Sequence, residues 1–391
     1  MNAPQPHRPL IAIACGGTGG HLFPGIAVAD QLKQRHCDVA LLISPKEVDQ
    51  QAVKAVSGVE IFTLPAVGLQ NRNYFSFGRS FFKSFRAARQ IFKSRPPAAV
   101  LAMGGFTSAP PVLAARKFGA KTFLHESNTV PGKANRFLSR FVDAAFVGFP
   151  ESAGRLRSQK TLVVGTPVRP KFFAADMGNP SACRVQLGLD PAWPTMLVVG
   201  GSQGARGLND LVLSTLPLLA AQPWQWLHLT GPADFEKVQS AYAKLGVKSV
   251  VKSFLAEMDL ALGAATACIS RAGASSLAEM AATRIPSALV PLPTAADNHQ
   301  FHNAAAFAKT GAACLVTQRE TSPAEFARIL TDLMGNEMSR QKIQSALAQW
   351  HSPDSAAQIA RNILDYSGVE SSKPEPDNLV DKPVAERRLV A

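Results

Sequence analysis

Five short segments hold the residues whose types and spacing can do chemistry. Gly16-Gly-Thr-Gly-Gly-His21 follows the apolar run 10–15. Glycines after a strand let the backbone turn tightly and approach a ligand. The helix that follows offers free N–H groups and a positive dipole end, which favour a phosphate. Thr18, Gly19 and Gly20 form that loop and His21 opens the helix. Imidazole, with an ordinary pKa near 6.5, suits a general base at neutral pH, and a histidine that merely caps or packs is the plainer alternative. Leu124-His-Glu-Ser-Asn128 places His125, Glu126 and Asn128 at a strand's carboxyl end, the binding edge of a parallel sheet. Gly200-Gly-Ser-Gln-Gly204 repeats the glycine loop in the second half, around Ser202. In Ile269-Ser-Arg-Ala-Gly-Ala-Ser-Ser-Leu-Ala-Glu279, the residues Gly273, Ser275 and Ser276 can turn backbone N–H groups to a diphosphate. Glu279, one turn on, can accept two hydrogen bonds from a ribose diol, or simply offset the helix dipole. Pro293-Thr-Ala-Ala-Asp-Asn-His-Gln300 is a polar loop whose side chains, His299 and Gln300 among them, read hydroxyls.

Two familiar nucleotide motifs fail. A P-loop needs Gly-Lys-Ser/Thr, but the first loop continues Gly20-His21-Leu22. A dinucleotide fingerprint needs a glycine where Leu22 stands and an acid closing the second strand, where Ser44-Pro45 stands. No Asp-x-Asp follows a strand, so neither an obligatory metal nor a cofactor is expected.

The elements that must position these loops are legible as short apolar runs alternating with helical patterns. Runs at 10–15, 39–43, 98–103, 121–124 and 144–147 read as buried strands of a first half; 196–199, 225–229, 248–251, 267–269 and 287–290 read the same way in a second. Continuous apolar strands alternating with helices imply parallel sheets covered on both faces, in doubly wound α/β domains. Prolines 167, 170, 180, 191 and 194 mark the joint between them. A terminal amphipathic helix is expected at about 353–366, and the polar, Pro-containing stretch 367–391 reads as disordered.

Charge is divided unequally. Residues 1–190 carry 24 Lys and Arg against 10 Asp and Glu, whereas 191–391 carry 17 against 18. The basic half suggests an anionic partner: nucleic acid, a membrane surface or a phosphorylated ligand. No nucleic-acid module is recognisable. Residues 72–95 hold seven basic residues and no acid. At helical spacing Phe77, Phe81, Phe85, Ala88 and Phe92 form a core stripe, and Arg79, Lys83, Arg86, Arg89 and Lys93 lie opposite with Phe82 among them. Phe75 joins Phe82 if the helix extends back. Aromatics on a basic face are what a monotopic membrane contact uses. The start of the chain shows no secretory leader, no stretch reads as a membrane span, and five scattered cysteines (Cys15, Cys37, Cys183, Cys268, Cys314) suit a reducing cytoplasm rather than a disulfide framework.

Taken in order, GGTGGHLFPGIAVADQL (16–32), MGGF (103–106), HESN (125–128), GTPVR (165–169), GGSQGARGLN (200–209), RAGASSLAE (271–279) and DNHQFHNA (297–304) resemble the MurG-type UDP-N-acetylglucosamine transferases. The resemblance covers roughly residues 10–365. It implies a GT-B fold, two Rossmann-like parallel-sheet domains facing across a cleft, divided here as 1–168 plus the terminal helix for the acceptor and 169–350 for the nucleotide. It implies inverting transfer of GlcNAc from UDP-GlcNAc to the 4-hydroxyl of MurNAc in lipid I, giving lipid II, by a peripheral protein on the cytoplasmic face of the bacterial inner membrane. By the same resemblance the donor would be held by Thr18, Gly19, Gly20, Asn128, Arg169, Ser202, Leu255, Gln300 and the segment Ala274, Ser275, Ser276, Leu277, Ala278 and Glu279. His21 would be the base, with Glu126 as its rival. Asn135, Asn209 and Arg271 also fall on functional positions, and His125 and His299 lie beside them. One departure stands out: the family's Tyr after Met-Gly-Gly is Phe106 here. The competing readings are a transferase with another acceptor and a non-catalytic sugar-nucleotide sensor.

Overall fold

The computed structural model describes residues 8–65, 74–173, 177–201 and 203–369. The first unit opens β1 (Leu10–Ala14), α1 (Gly19–Lys33), β2 (Asp38–Ile43), α2 (Glu47–Ala52) and β3 (Glu60–Thr63). It continues through α3 (Tyr74–Ser94), β4 (Ala99–Ala102), α4 (Ala109–Arg116) and β5 (Lys121–Glu126). It closes with α5 (Lys133–Leu138), β6 (Ala144–Val147), α6 (Pro150–Ala153) and β7 (Thr161–Val163). The second unit runs α7 (Pro180–Gln186), β8 (Thr195–Val199), α8 (Arg206–Leu219), β9 (Gln225–Leu229), α9 (Phe235–Lys244) and β10 (Ser249–Lys252). Then come α10 (Met258–Ala264), β11 (Ala267–Ser270), α11 (Ala274–Thr283), β12 (Ser287–Leu289), α12 (His299–Lys309) and β13 (Cys314–Leu315). Three helices end it: α13 (Pro323–Gly335), α14 (Glu337–Trp350) and α15 (Ser355–Ser367).

Each unit contains one sheet, all parallel. The orders are β3-β2-β1-β4-β5-β6-β7 and β10-β9-β8-β11-β12-β13. Side chains alternate strictly across the first sheet. Ile11 and Ile13 of β1 join the cluster under α1 and α15, while Leu10, Ala12 and Ala14 join the cluster under α3 and α4. Both faces are thereby buried, which is why the strands read as unbroken apolar runs. The last helix returns to the first sheet: Ile359, Ala360, Ile363 and Leu364 pack with Leu22, Val28 and Leu32 of α1. All ten expected strands form. Three more, β3, β7 and β13, are edge strands of partly exposed residues and carry too little apolar signal to stand out.

The amphipathic reading of α3 holds along its length. Ala88 and Phe92 are fully buried and Phe81 and Phe85 pack against that core. Arg79, Lys83, Arg86, Arg89 and Lys93 are exposed, with Phe82 58% and Phe75 85% exposed beside them. Among the described residues, no helix is long and apolar enough to cross a membrane. The expected disorder beyond Val369 and the expected donor residue Ser202 lie outside the described residues.

Candidate active site

In open α/β sheets ligands collect where neighbouring strands send their connections in opposite directions. The first sheet has this point between β1 and β4, and the second between β8 and β11. The loops that emerge there are the glycine loops of the sequence. After β1 the backbone passes so close to β2 that a Cβ on Gly16 would lie 2.3 Å from the Ser44 nitrogen. Buried Asp49 of α2 ties this turn down: its Oδ2 accepts from the Gly17 N–H at 2.7 Å and from the Ser44 N–H and hydroxyl at 3.1 and 2.5 Å. The end of β2 thus carries no acid for a ribose, and Asp49, five residues beyond Ser44, holds loop backbone instead.

His21 lies in the first turn of α1, with its ring against the Gly104-Gly105 loop that follows β4. Gly104 is required twice over. Its φ is +121°, and a Cβ there would stand 2.7 Å from His21 Cε1. Nδ1 is buried without a well-formed hydrogen bond among the described residues. Burial pushes the His21 pKa below the ordinary histidine value, against the opposing pull of the Glu126 carboxylate and the Met103 carbonyl. The imidazole is therefore neutral at pH 7 and able to accept a proton. Phe106 packs edge-to-face on Phe77 of α3 at 5.3 Å.

Glu126 is a different kind of carboxylate. It is 3% exposed at the end of β5, and both oxygens are occupied. Oε1 accepts from the Asn128 backbone N–H at 2.8 Å and its Nδ2 at 3.0 Å. Oε2 accepts from the Gly132 N–H and from Asn135 Nδ2, both at 2.9 Å. Four N–H donors fill the acceptor positions of its two oxygens, which leaves the carboxylate no open position for a substrate hydroxyl. Glu126 thus braces the loop 126–135 and sets the field at His21. His125 is also committed. Its Nε2 donates to the Gly165 carbonyl at 2.9 Å and its Nδ1 accepts from the Ser127 hydroxyl at 3.2 Å, and burial lowers its pKa.

On the second unit α11 begins at Ala274, and its first turn meets the first turn of α1. The Ser275 hydroxyl donates to the Gly20 carbonyl at 2.8 Å. Two helix N-termini, 15 and 10 residues long, therefore converge on one place, which favours an anion there. Glu279 lies one turn along α11. Burial raises its pKa to about 7, opposed by Arg169 and Lys171. Arg169 stacks on the Phe23 ring of α1 at 4.3 Å. Gln300 anchors its loop by accepting from the Leu292 N–H at 3.0 Å. Leu255 is half-buried against the second core, and His299 donates from Nδ1 to the Ala296 carbonyl at 2.7 Å.

Two further expected residues are bonded to neighbouring protein groups. Arg271 spends Nη1 on the Val290 and Pro291 carbonyls at 3.0 and 3.1 Å, and burial lowers its pKa to about 10. Asn209 donates to the Thr230 carbonyl and Asp234 and accepts from His228 Nε2, all within 3.0 Å.

Besides Asp49, sequence reasoning passed over Asn303, on α12 and fully buried. Its Oδ1 accepts from the Thr129 N–H and hydroxyl at 2.9 and 3.0 Å. Its Nδ2 donates to Asn128 Oδ1 at 3.0 Å and to the Ala272 carbonyl at 3.2 Å. One amide thus joins the Glu126 loop of the first unit to the head of α11 in the second. Its motif was visible, but spacing along one helix carries no sign of a partner 174 residues away.

Comparison with known proteins agrees with this geometry. Residues 11–147 match the glycosyltransferase family 28 N-terminal domain and residues 195–359 the family 28 C-terminal domain. A UDP-N-acetylglucosamine--N-acetylmuramyl-(pentapeptide) pyrophosphoryl-undecaprenol N-acetylglucosamine transferase from Nitratidesulfovibrio vulgaris is 34% identical over 361 residues, spanning 91% of this chain and 97% of its own length. One of the same name from a Synechococcus species is 37% identical over 365 residues, 91% and 98% of the two chains. The crystal structure of Acinetobacter baumannii MurG superposes with a TM-score of 0.70 at 27% identity, covering 92% of this chain and 99% of that one. With both halves matched and the site built at both switch points, the chain belongs to glycosyltransferase family 28, among the MurG-type N-acetylglucosamine transferases.

Proposed function

We infer that this protein transfers GlcNAc from UDP-GlcNAc to the 4-hydroxyl of MurNAc in lipid I, forming lipid II and UDP. The observation that carries the reading is the meeting of α1 and α11 at Ser275 and Gly20, with His21 as the next residue. In this account the acceptor oxygen attacks C1 of GlcNAc as the bond from C1 to the diphosphate oxygen breaks, inverting C1. The hydroxyl proton passes to neutral His21, and negative charge builds on the departing UDP. The two helix N-termini face that charge with fixed dipoles, which need no reorganisation as it develops. Glu279 accepts from the ribose hydroxyls, the Leu255 backbone meets uracil, and Arg169 and Gln300 complete the donor site. We assign Ser202, with Ala274, Ser275, Ser276, Leu277 and Ala278, to the diphosphate and ribose. Thr18, Gly19, Gly20 and Asn128 border the GlcNAc end. We assign the acceptor to residues 1–168 with α15, and the nucleotide to 169–350.

We further propose that the exposed face of α3 rests on an anionic bilayer, at the cytoplasmic side of the inner membrane. Phe75 and Phe82 stand out among five exposed cations, and the attraction is about 1 kcal/mol per cation near an anionic leaflet. Transfer of label from UDP-GlcNAc into a lipid-linked disaccharide tests the activity. Folded protein that binds UDP yet labels no lipid I would refute it.

A further inference from the structure

Arg169 lies on the chain that crosses from β7 of the first unit into α7 of the second. Its side chain is half-buried, and among the described residues its guanidinium has no hydrogen-bond or ion-pair partner. Its neighbour Lys171 differs, being paired with Asp259 at 2.5 Å. Aromatic rings hold Arg169 instead. Its Cζ lies over the Phe23 ring at 4.3 Å and over the Phe172 ring at 5.2 Å from the centroids. Phe172 is fully buried in the core of the second unit. Phe23 belongs to α1 of the first, two residues after His21. The Phe23 ring is itself set by the glycine loop, because a Cβ on Gly19 would stand 3.2 Å from its Cε2. Burial lowers the Arg169 pKa and the Glu279, Asp259 and Asp30 carboxylates oppose it, so the guanidinium keeps its charge. A cation held over a π face keeps its N–H groups free to donate elsewhere. Phe23 is thus a first-unit ring that carries an unspent cation of the second unit's site.

We propose that Phe23 is a positioning residue for the transfer: its ring holds Arg169 so that the free N–H groups meet the diphosphate of the donor, in register with His21 on the same helix turn. The proposal rests on the reading of Arg169 as a donor-site residue. One element, α1, then places both the base and the support of the donor cation. The test measures UDP affinity by titration and donor KM by steady-state transfer. The proteins are wild type, Arg169→Met, Phe23→Leu, the double variant, Phe23→Tyr, and a series with mono-, di- and trifluorinated phenylalanine at position 23 alone. Phe23→Leu is expected to weaken UDP binding and raise donor KM about fivefold, and Phe23→Tyr, which keeps the π face, to stay within about twofold of wild type. In the Arg169→Met background the leucine change should cost little more, because the two groups act as a pair. Fluorine withdraws charge from the π face with almost no change in shape, so affinity should fall stepwise along the series. A ring that merely packs should bind UDP equally well or better as fluorine makes it more apolar. Affinity that holds or rises along the series overturns the proposal, as does an equal loss from Phe23→Leu with and without Arg169. If Arg169→Met alone still weakens UDP binding, the donor reading survives that failure. Unchanged UDP affinity in Arg169→Met overturns the donor reading and the proposal with it. Should Phe23→Leu fail to fold, the near-isosteric fluorinated series decides by itself.

Discussion

Asn303→Asp isolates the joint between the two units with almost no change in shape. The remaining Oδ1 still accepts from Thr129, but the atom that donated to Asn128 Oδ1 and the Ala272 carbonyl becomes a second acceptor. Asn128 cannot relieve the conflict by flipping its amide, because its Nδ2 is already donating to Glu126 Oε1. Two buried acceptors thus lose their donor and face an oxygen, at about 1–3 kcal/mol each. Taking about 3 kcal/mol in total, the ratio of joined to separated units falls on the order of 100-fold. Each unit has its own core, so the thermal midpoint should move little while catalysis suffers. We expect kcat/KM at pH 8 to drop about 100-fold, with UDP affinity changed less than about tenfold because the donor groups on α11 remain in place. Lowering the pH should recover part of the loss, since a protonated carboxyl can donate again. Steady-state transfer and UDP titration measure these quantities, with Asn303→Ala as a second variant that removes the amide without adding an acceptor. A kcat/KM for Asn303→Asp within threefold of wild type would show that this amide does not hold the productive arrangement.

Other consequences follow from individual side chains. Glu279, raised to about 7, is half protonated near neutrality, so donor KM should fall as pH rises from about 6 to 8 and a carboxylate becomes available to the ribose; Glu279→Gln should abolish the slope, and an unchanged slope would assign it elsewhere. Gly104→Ala must push the His21 ring and adopt a φ that side chains avoid, so kcat should fall at least about 100-fold with UDP affinity retained. Phe82→Ser/Arg86→Ser should reduce sedimentation with anionic vesicles while sparing turnover on a soluble acceptor; unchanged sedimentation would remove α3 from the membrane face.

The strands and glycine loops were readable because their signals are local: apolar runs for sheets buried on both faces, and glycine where backbone crowds backbone, as at Gly16 against Ser44. The chemistry of His21 was readable as residue type and position. The contest between His21 and Glu126 was not, because it depends on what each touches. Glu126 gathers donors from Asn128, Gly132 and Asn135, whereas His21 is packed against Gly104 and desolvated. Asp49 and Asn303 stayed hidden for a related reason. Each satisfies backbone or amide groups brought close only by the sheet order or by the meeting of the two units. Arg271 and Asn209 were legible as motif members, but their partners were not: the Val290 and Pro291 carbonyls for Arg271, and Thr230, Asp234 and His228 for Asn209.

The central claim is that His21 takes the acceptor proton while Glu126 braces the loop beside it. The most direct measurement is the pH dependence of kcat in wild type, His21→Ala and Glu126→Gln. Because burial lowers the His21 pKa, the acid limb of the wild-type profile should lie below pH 6.5, with activity lost as pH falls and the imidazole becomes protonated. Glu126→Gln should be slower and less stable but keep an acid limb. His21→Ala should lose about 10²–10⁴-fold in rate, retain UDP binding and show no such limb. An acid limb that persists in His21→Ala and vanishes in Glu126→Gln would contradict the account and transfer the base to the carboxylate.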